Sequence, residues 1–300
     1  MFTYLALTHR HTPLRMVLCL LVAAFVGACS SRPEPPVVSF TQGRTSAETS
    51  NRLEQLLPTD VLLLGEQHDA TEHQLIEQSV VAHLAQRGVL AAIALEMADA
   101  GTTTARLQPS ASDEQVRLAL QWQDNAWPWT AYGPAIMTGV RAGVVVLGAN
   151  LPRARMRESM TDRKLDAALP GPALKAQQQL IRTGHCNLLP ESQITPMTRI
   201  QIAKDMTMAS TLSQAAVPGK VVLLLSGNGH ADRSLGVPQH LAPDLKVQVI
   251  RLSAGPDTLG DQAGSSDMVW VTPRLPEKDY CEGLQEQLGG QGSAPAEVIP

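Results

Sequence analysis

In the stretch VLLLGEQH at residues 61–68, four apolar residues run directly into a glycine and a polar turn. An apolar run without alternation predicts a strand buried on both faces, as in a parallel sheet, and Gly65 is predicted to end it. The same succession returns in VVLLLSGNGH at residues 221–230. The sequence therefore predicts two buried strands, each followed by a turn that carries a histidine.

The rest of the chain supplies matching strands and helices. Four more apolar runs predict strands at residues 90–95, 144–147, 246–252 and 268–272. Helices are predicted at residues 47–57, 72–86, 112–121 and 131–141, and two of them begin with capping boxes, Thr71 with Gln74 and Ser112 with Gln115. This alternation predicts the fold class α/β: three layers, with a mostly parallel central sheet, helices on both faces and an inserted helical lobe at residues 153–216.

The N-terminus has the features of an export signal. Arg10 and Arg15 precede the apolar run Met16–Phe25, which is too short to span a bilayer as a helix. Val26-Gly27-Ala28-Cys29 resembles the lipobox of bacterial lipoprotein precursors, and this implies cleavage after residue 28 and lipidation of Cys29. The alternative is an ordinary cleaved signal with a chance cysteine. In enterobacterial lipoproteins, an Asp directly after the lipidated cysteine is the signal for retention in the inner membrane. This chain has Ser30 at that position, so the resemblance favours an anchor in the outer membrane that faces the periplasm.

The exported chain is predicted to be acidic and to form one domain. Without residues 1–28 it holds 22 Lys and Arg against 28 Asp and Glu, a net charge of −6, which argues against a nucleic-acid partner. A flexible tether is predicted at residues 29–45, the α/β domain at residues 46–284 and a disordered tail at residues 285–300.

Two cysteines remain once Cys19 leaves with the signal and Cys29 is lipidated. These are Cys186 and Cys281, and paired thiols are usual in an oxidising compartment. We predict a Cys186–Cys281 disulfide, and two unpaired cysteines too far apart to bridge are the alternative.

Polar residues follow three of the predicted strands. Glu66 and His68 follow the first, Glu96 ends the second within Ala94-Leu95-Glu96-Met97, and His230 follows the fourth. Ligands of open parallel sheets bind beyond the carboxyl ends of the strands, so these four side chains are expected to share one crevice. Two imidazoles and two carboxylates suit a divalent metal or general acid–base chemistry. The alternative is a structural role, in which they cap helices or bond to each other.

Several motifs together resemble the ChaN family of the haem-binding uptake and Tiki superfamily, over roughly residues 60–281. They are LLLGEQH (62–68), ALEM (94–97), WPW (127–129), YGP (132–134), GANLPR (148–153), HC (185–186), LP (189–190), GNGH (227–230) and GVP (236–238). The resemblance implies haem binding or iron acquisition, with an ancestral hydrolase-type pocket. The superfamily also contains Tiki-type metalloproteases, and erythromycin esterase has been grouped with it.

Haem requires an axial ligand and a flat apolar surface, and Tyr132 is the first candidate ligand because it lies among Trp122, Trp127 and Trp129. Trp129 is expected to belong to the aromatic surface of the haem site, and Arg141, Arg153 or Arg155 is expected to meet the propionates. His68 or His230 is the next choice of ligand. The alternative is that these aromatic residues form a structural cluster.

Three functions therefore compete. The first is a lipid-anchored haem-binding protein for iron uptake or handling. The second is a metal-dependent hydrolase that uses Glu66, His68, Glu96 and His230. The third is a non-catalytic envelope scaffold. The sequence leaves open whether the protein forms a two-fold dimer that holds ligand between its subunits.

Overall fold

The structure is a computed structural model that describes residues 36–39, 45–256 and 264–284. The predicted signal, Cys29, most of the tether and the C-terminal tail lie outside these residues. Within them, no helix is long and apolar enough to cross a bilayer. The strands are β1 (Val37–Ser39), β2 (Val61–Glu66), β3 (Leu90–Asp99), β4 (Val145–Asn150), β5 (Val221–Gly227), β6 (Val247–Ala254) and β7 (Met268–Thr272). The α-helices are α1 (Thr45–Leu53), α2 (Thr71–Gln86), α3 (Asp113–Ala119), α4 (Trp129–Arg141), α5 (Arg153–Thr161), α6 (Gly171–Gly184), α7 (Glu191–Ala215) and α8 (Asn228–Ala231).

The seven strands form one parallel sheet in the order β1-β7-β6-β2-β5-β3-β4. This confirms the predicted α/β class and places β2 and β5 side by side near the centre. In their register Glu66 pairs with Gly227, so the two polar turns leave the sheet at the same level. β1 is an additional edge strand of three residues, too short for its sequence pattern to indicate.

The apolar run of β2 has no alternation because both of its faces are covered. Leu62 and Leu64 pack into a core with helices α2 and α4, whereas Val61 and Leu63 pack into a second core with α7. Successive side chains of a strand point to opposite faces, so a strand between two helical layers needs apolar residues at every position. Full burial of each leucine contributes about 2 kcal/mol.

The helical lobe is built from α5, α6 and α7, with a short 3-10 helix at Arg163–Ala167. The helices of the lobe are separate elements, since α6 begins at Gly171 and ends at Gly184, and α7 begins at Glu191. One face of α7 packs on the sheet and other residues of the same helix form the core of the lobe. Helix α7 therefore carries side chains from the lobe to the sheet edge.

Two of the predicted details are wrong and two are confirmed. Strand β2 does not end at Gly65 but continues to Glu66. Helix α2 has Ala70 at its N-cap without a side-chain cap, so Thr71 and Gln74 form no capping box. The Ser112–Gln115 capping box is present, and the Cys186–Cys281 disulfide is formed with the Cα atoms 5.8 Å apart.

Candidate functional site

A cavity of about 330 Å³ lies between the carboxyl ends of β2, β3 and β5 and the helical lobe. Glu66, His68, Glu96 and His230 all line it, so the four polar residues that follow the strands come together in one place. The lobe contributes the opposite wall, with Ile181, His185, Met197, Ile200, Gln201 and Lys204. The wall at the sheet edge thus carries ionisable side chains, and the wall formed by the lobe includes three large apolar side chains.

Glu66 fixes the orientation of His68. Its Oε1 lies 2.8 Å from Nδ1 of His68 and accepts a second hydrogen bond of 2.8 Å from the Tyr132 hydroxyl. The side chain of Gln74, which does not form the predicted capping box, donates to Glu66 Oε2 at 3.3 Å and to the His68 carbonyl at 2.9 Å. These contacts hold a carboxylate that is 2% exposed, and they place the Nδ1 proton of His68 towards it.

His68 therefore presents its other ring nitrogen, Nε2, to the cavity. The side chain is 31% exposed, and the edge of the ring packs against Trp127 at a centroid distance of 4.8 Å. Burial alone would lower the pKa of His68, but the hydrogen bond to Glu66 and the charges of Glu96 and Glu66 raise it. The result is an imidazole made more basic by its carboxylate partner and open on one side.

His230 forms a second, fully enclosed group with two carboxylates. Its Nε2 lies 3.1 Å from Glu96 Oε1, and its Nδ1 lies 2.5 Å from Asp205 Oδ1. Burial opposes the charge, but Glu96 and then Asp205 raise the pKa of His230 to about 10. Burial likewise opposes the charge of Glu96, whose pKa is nevertheless lowered by His230, and burial raises the pKa of Asp205 to about 6. His230 is therefore an imidazolium at neutral pH, with both nitrogens paired.

Sequence reasoning missed three residues of this site: Asp205, Lys204 and His185. Asp205 and Lys204 lie inside α7, where the pattern of the helix gives no sign that they reach the sheet edge. Lys204 is only 5% exposed and makes no hydrogen bond or ion pair with another described residue. His185 had one available signal, its place in the His185-Cys186 motif.

Tyr132 has a different position from the predicted one. It is 2% exposed, lies behind Glu66, and is not among the residues that line the cavity. Burial and the adjacent Glu66 strongly raise the pKa of its hydroxyl, so the phenolate form that binds ferric iron is disfavoured. Its hydroxyl supports the Glu66–His68 pair instead.

The other predicted haem contacts also lie away from the cavity. Trp129 donates from Nε1 to Asp113 at 2.8 Å and packs edge-on against Trp122. Arg153 is exposed at the start of α5 and does not line the cavity. Lys204 is the lysine that does. The three tryptophans and Tyr132 thus form the structural cluster that the sequence left as an alternative.

The expected divalent-metal site is not supported. Among the described residues, no group of three or more His, Cys, Asp or Glu side chains has an arrangement that could hold a metal ion. The physical reason is that the ligands are already paired: Glu66 binds His68, and both carboxylates around His230 bind its ring nitrogens.

The fold and the site together define a three-layer α/β protein with a histidine- and carboxylate-lined cavity at the carboxyl edge of a parallel sheet. The chain belongs to the ChaN family, described as "Haem-binding uptake, Tiki superfamily, ChaN", whose model matches residues 52–241. A comparison with curated proteins finds no match.

Solved structures share this fold. ChaN of Campylobacter jejuni, whose structure is described as showing cofacial haem binding, is 26% identical, with a TM-score of 0.61 over 73% of this chain and 89% of that chain. The type III effector HopBA1 is 16% identical, with a TM-score of 0.50 over 82% of this chain and 99% of that chain. The second likeness is one of fold alone.

Proposed function

We propose that this protein binds haem in the cavity at the sheet edge and serves in haem or iron uptake or handling. Two comparisons support the proposal. One is the match to a haem-binding uptake family, and the other is the similarity to ChaN of Campylobacter jejuni, whose structure is described as showing cofacial haem binding. The single observation that carries it at the level of the site is the geometry of His68, whose Nδ1 is held by Glu66 while Nε2 faces the cavity.

His68 fits the requirements of a haem ligand better than the other candidates. A histidine that binds a metal usually donates its second ring N–H to a carboxylate or carbonyl, which orients the ring and raises its basicity. Glu66 provides this partner for His68. His230 has both nitrogens in ion pairs, and the hydroxyl of Tyr132 is bonded to Glu66. When bound, haem would supply an iron centre for ligation by His68, and this chain would orient and shield it.

The cavity walls also suit a ligand with an apolar body and acidic groups. Ile181, Met197 and Ile200 offer the apolar surface that a porphyrin face requires. Lys204 lines the same cavity and, in the absence of an ion-pair partner among the described residues, can meet an acidic substituent. We therefore propose these residues, rather than Trp129 and Arg153, as the contacts to the porphyrin face and to its acidic substituents.

Titration of the exported protein with hemin tests this function. We expect a Soret band that saturates at a fixed stoichiometry. His68→Ala should abolish or greatly weaken saturable binding, because it removes the open imidazole. His83→Ala is the matched control, since His83 pairs with Glu54 on another part of the surface. Non-saturable absorbance in the wild-type protein would contradict haem binding, and saturable binding that survives His68→Ala would contradict the assignment of the ligand.

Anchoring and location are a separate part of the proposal. The lipobox-like Val26-Gly27-Ala28-Cys29 supports lipidation at Cys29 and retention at the outer membrane, facing the periplasm. Labelling of cells with a radioactive fatty acid should mark the wild-type protein and leave Cys29→Ser unlabelled, with the label in the outer-membrane fraction. A labelled serine variant would remove Cys29 as the anchor. Sedimentation with and without hemin tests whether ligand binding produces a two-fold dimer.

A second candidate function is metal-free hydrolysis, and the pairing of Glu66 with His68 favours it. His68 could accept a proton from water through Nε2, and the charges of Lys204 and His230 could stabilise an oxyanion. A panel of carboxylic esters, assayed with a chelator present, tests this function. Turnover that is lost in Glu66→Gln supports it, and a wild-type protein without turnover on the panel speaks against it.

A further inference from the structure

The C-terminal segment (residues 273–284) is attached to the turn that forms part of the sheet-edge wall of the cavity. The Tyr280 hydroxyl donates to Asp69 Oδ2 at 2.7 Å, and Asp69 directly follows His68, which lines the cavity. Tyr280 is 58% exposed, so water competes for this hydrogen bond and the attachment is weak on its own.

The same segment is attached covalently to the lobe. Cys281 forms the disulfide with Cys186, and Cys186 directly follows His185, which lines the cavity from the lobe wall. Because Tyr280 and Cys281 are neighbours in the chain, one short stretch is fixed to both walls of the cavity. The disulfide also keeps the Tyr280 hydroxyl at a high effective concentration beside Asp69, so the covalent attachment supports the hydrogen bond.

The rest of the segment has few contacts of its own. Residues 273–283 are exposed except for Leu275, which is half-buried, and Leu284 is buried at the end. Within the described part of the chain, the backbone hydrogen bonds of the segment are internal ones, from Glu282 to Asp279 and from Leu284 to Cys281. The link between the two walls therefore depends on the disulfide.

The disulfide is accessible to a reductant in solution, since Cys281 is exposed and Cys186 is half-buried. A dithiol would reduce it in two exchange steps. Its first thiolate attacks Cys281 Sγ and releases Cys186 as a thiolate, and its second thiolate then attacks the reductant sulfur of the mixed disulfide and releases Cys281. Two electrons and two protons pass from the dithiol to the cysteines, and the reductant leaves as a disulfide.

The loop after His185 has a backbone shape that the disulfide helps to hold. Cys186 and Asn187 have φ angles of 56° and 58°, in the left-handed region that non-glycine residues rarely adopt. Two backbone hydrogen bonds close this turn, from Cys186 to Thr183 (2.9 Å) and from Asn187 to Arg182 (2.8 Å). Because a left-handed turn over two such residues costs conformational energy, loss of the covalent link favours a change in the loop that carries His185.

We propose that the Cys186–Cys281 disulfide is a redox-sensitive switch of access to the cavity. In the oxidised protein it joins the end of α6 to the turn after β2, and reduction by a dithiol separates these two walls. This inference goes beyond the proposed function, since it concerns entry to the cavity and holds for any ligand. The main fold is expected to persist, because neither core of the sheet includes a residue of the C-terminal segment.

Acylation of His68 by diethyl pyrocarbonate tests the switch, because this reagent modifies an accessible, unprotonated imidazole nitrogen and His68 presents Nε2 to the cavity. The protein is reduced with dithiothreitol, freed of reductant under nitrogen and compared with the oxidised form by mass spectrometry of its peptides. We expect the rate at His68 to rise several-fold on reduction and to return on reoxidation. The rate at His83, which pairs with Glu54 on α1 and its following turn, is the internal control and should not change.

Two variants separate the covalent attachment from the hydrogen bond. The Cys186→Ser, Cys281→Ser double variant should show the fast rate at His68 without reductant, because it has no disulfide to break. Tyr280→Phe keeps the disulfide and removes the hydrogen bond to Asp69, so it should keep the slow rate of the oxidised protein. A fast rate in oxidised Tyr280→Phe would assign the control of access to the hydrogen bond and overturn the disulfide as the switch.

The remaining outcomes are also decisive. Equal rates at His68 in the oxidised and reduced protein would overturn the proposal, and so would an equal rise at His83, which would show a general loosening of the fold. Loss of the folded state on reduction, judged by circular dichroism, would overturn it as well, because the disulfide would then support the whole domain. Each of these results is independent of whether the protein binds hemin.

Discussion

The Nε2 atom of His68 lies 2.8 Å from the point at which Gly227 would carry a β-carbon. Gly227 is the register partner of Glu66, and its own amide donates to Glu96 Oε2 at 2.7 Å. The absence of a side chain at residue 227 therefore allows the imidazole to lie over the end of β5. The two halves of the site meet at this glycine, since it contacts His68 on one side and Glu96 on the other.

Gly227→Ala should displace His68 without disturbing the backbone. The φ of Gly227 is −61°, which alanine adopts readily, so the effect is steric and comes from the imidazole alone. We expect weaker hemin binding and a loss of stability of about 1–3 kcal/mol, measured by titration and by urea unfolding. Gly171→Ala at the start of α6 is the control, because Gly171 does not line the cavity and a β-carbon there meets nothing within 4 Å. Equal hemin affinity in both variants would show that His68 does not need this space.

Tyr132→Phe separates the predicted ligand role from the observed one. The variant removes a hydrogen bond to Glu66 and leaves His68 in the cavity, so haem binding and the type of spectrum should persist. Stability should fall by about 1 kcal/mol, the usual value of one hydrogen bond. The measurements are hemin titration, the absorption spectrum of the complex and urea unfolding. Loss of haem binding in this variant, with the fold retained, would restore Tyr132 as the ligand.

The sequence predicted the fold and four of the site residues because both depend on one regularity. Apolar runs without alternation indicate a covered parallel sheet, and the carboxyl ends of neighbouring parallel strands lie at one edge. Glu66, Glu96 and the two histidines therefore meet without any need to know the packing of the helices. The register of β2 and β5 also helps to bring the site together, because Glu66 and Gly227 are paired at the ends of these adjacent strands.

The remaining features depend on contacts between distant parts of the chain. Asp205 reaches His230 because α7 packs on the sheet, and no local pattern in α7 records that contact. Tyr132 seemed a ligand because it lies in an aromatic segment, but its partner Glu66 is 66 residues away. Gln74 was assigned to a helix cap, yet it donates to Glu66 and to the His68 carbonyl. In each case a tertiary hydrogen bond determined the role.

Asp205→Asn tests the charge of the enclosed group. The carboxylates raise the pKa of His230 from 6.5 to about 10, so its contribution to stability is complete below pH 6.5 and is lost as the pH rises towards 10. Without the Asp205 charge, the folded pKa of His230 is lower, so this loss still begins near pH 6.5 but is complete at a lower pH than in the wild-type protein. We expect the variant to be less stable by about 1.5–3 kcal/mol at pH 7 and the difference to shrink as the pH rises towards 10, where the wild-type protein loses the same contribution, measured by urea unfolding.

The control for Asp205→Asn is Glu54→Gln, which removes the carboxylate of an exposed pair with His83 and Arg87. Its stability should follow the wild-type pH profile, since exposed pairs are screened by water and salt. A difference between Asp205→Asn and wild type that does not shrink between pH 7 and pH 10 would show that His230 is not protonated in the folded protein.

Glu77 carries a buried carboxyl group with no hydrogen-bond partner among the described residues for either oxygen. Burial, reinforced by the charge of Glu66, raises its pKa well above the usual 4.5, so the folded protein keeps a proton that the unfolded chain releases. Stability therefore falls as the pH rises above 4.5, by about 1.4 kcal/mol for each pH unit until the folded pKa is reached. Glu77→Gln keeps the neutral shape and removes the titration, so its stability relative to wild type should increase from pH 5 to pH 7.5 in urea unfolding.

Gln78→Glu on the same helix gives the opposite comparison, because it adds a carboxylate at a half-buried position whose amide contacts Thr138. A constant difference between Glu77→Gln and wild type over this range would mean that Glu77 is ionised in the folded state, and the carboxylates of Glu66 and Glu77 would then both be charged within the core beneath the cavity.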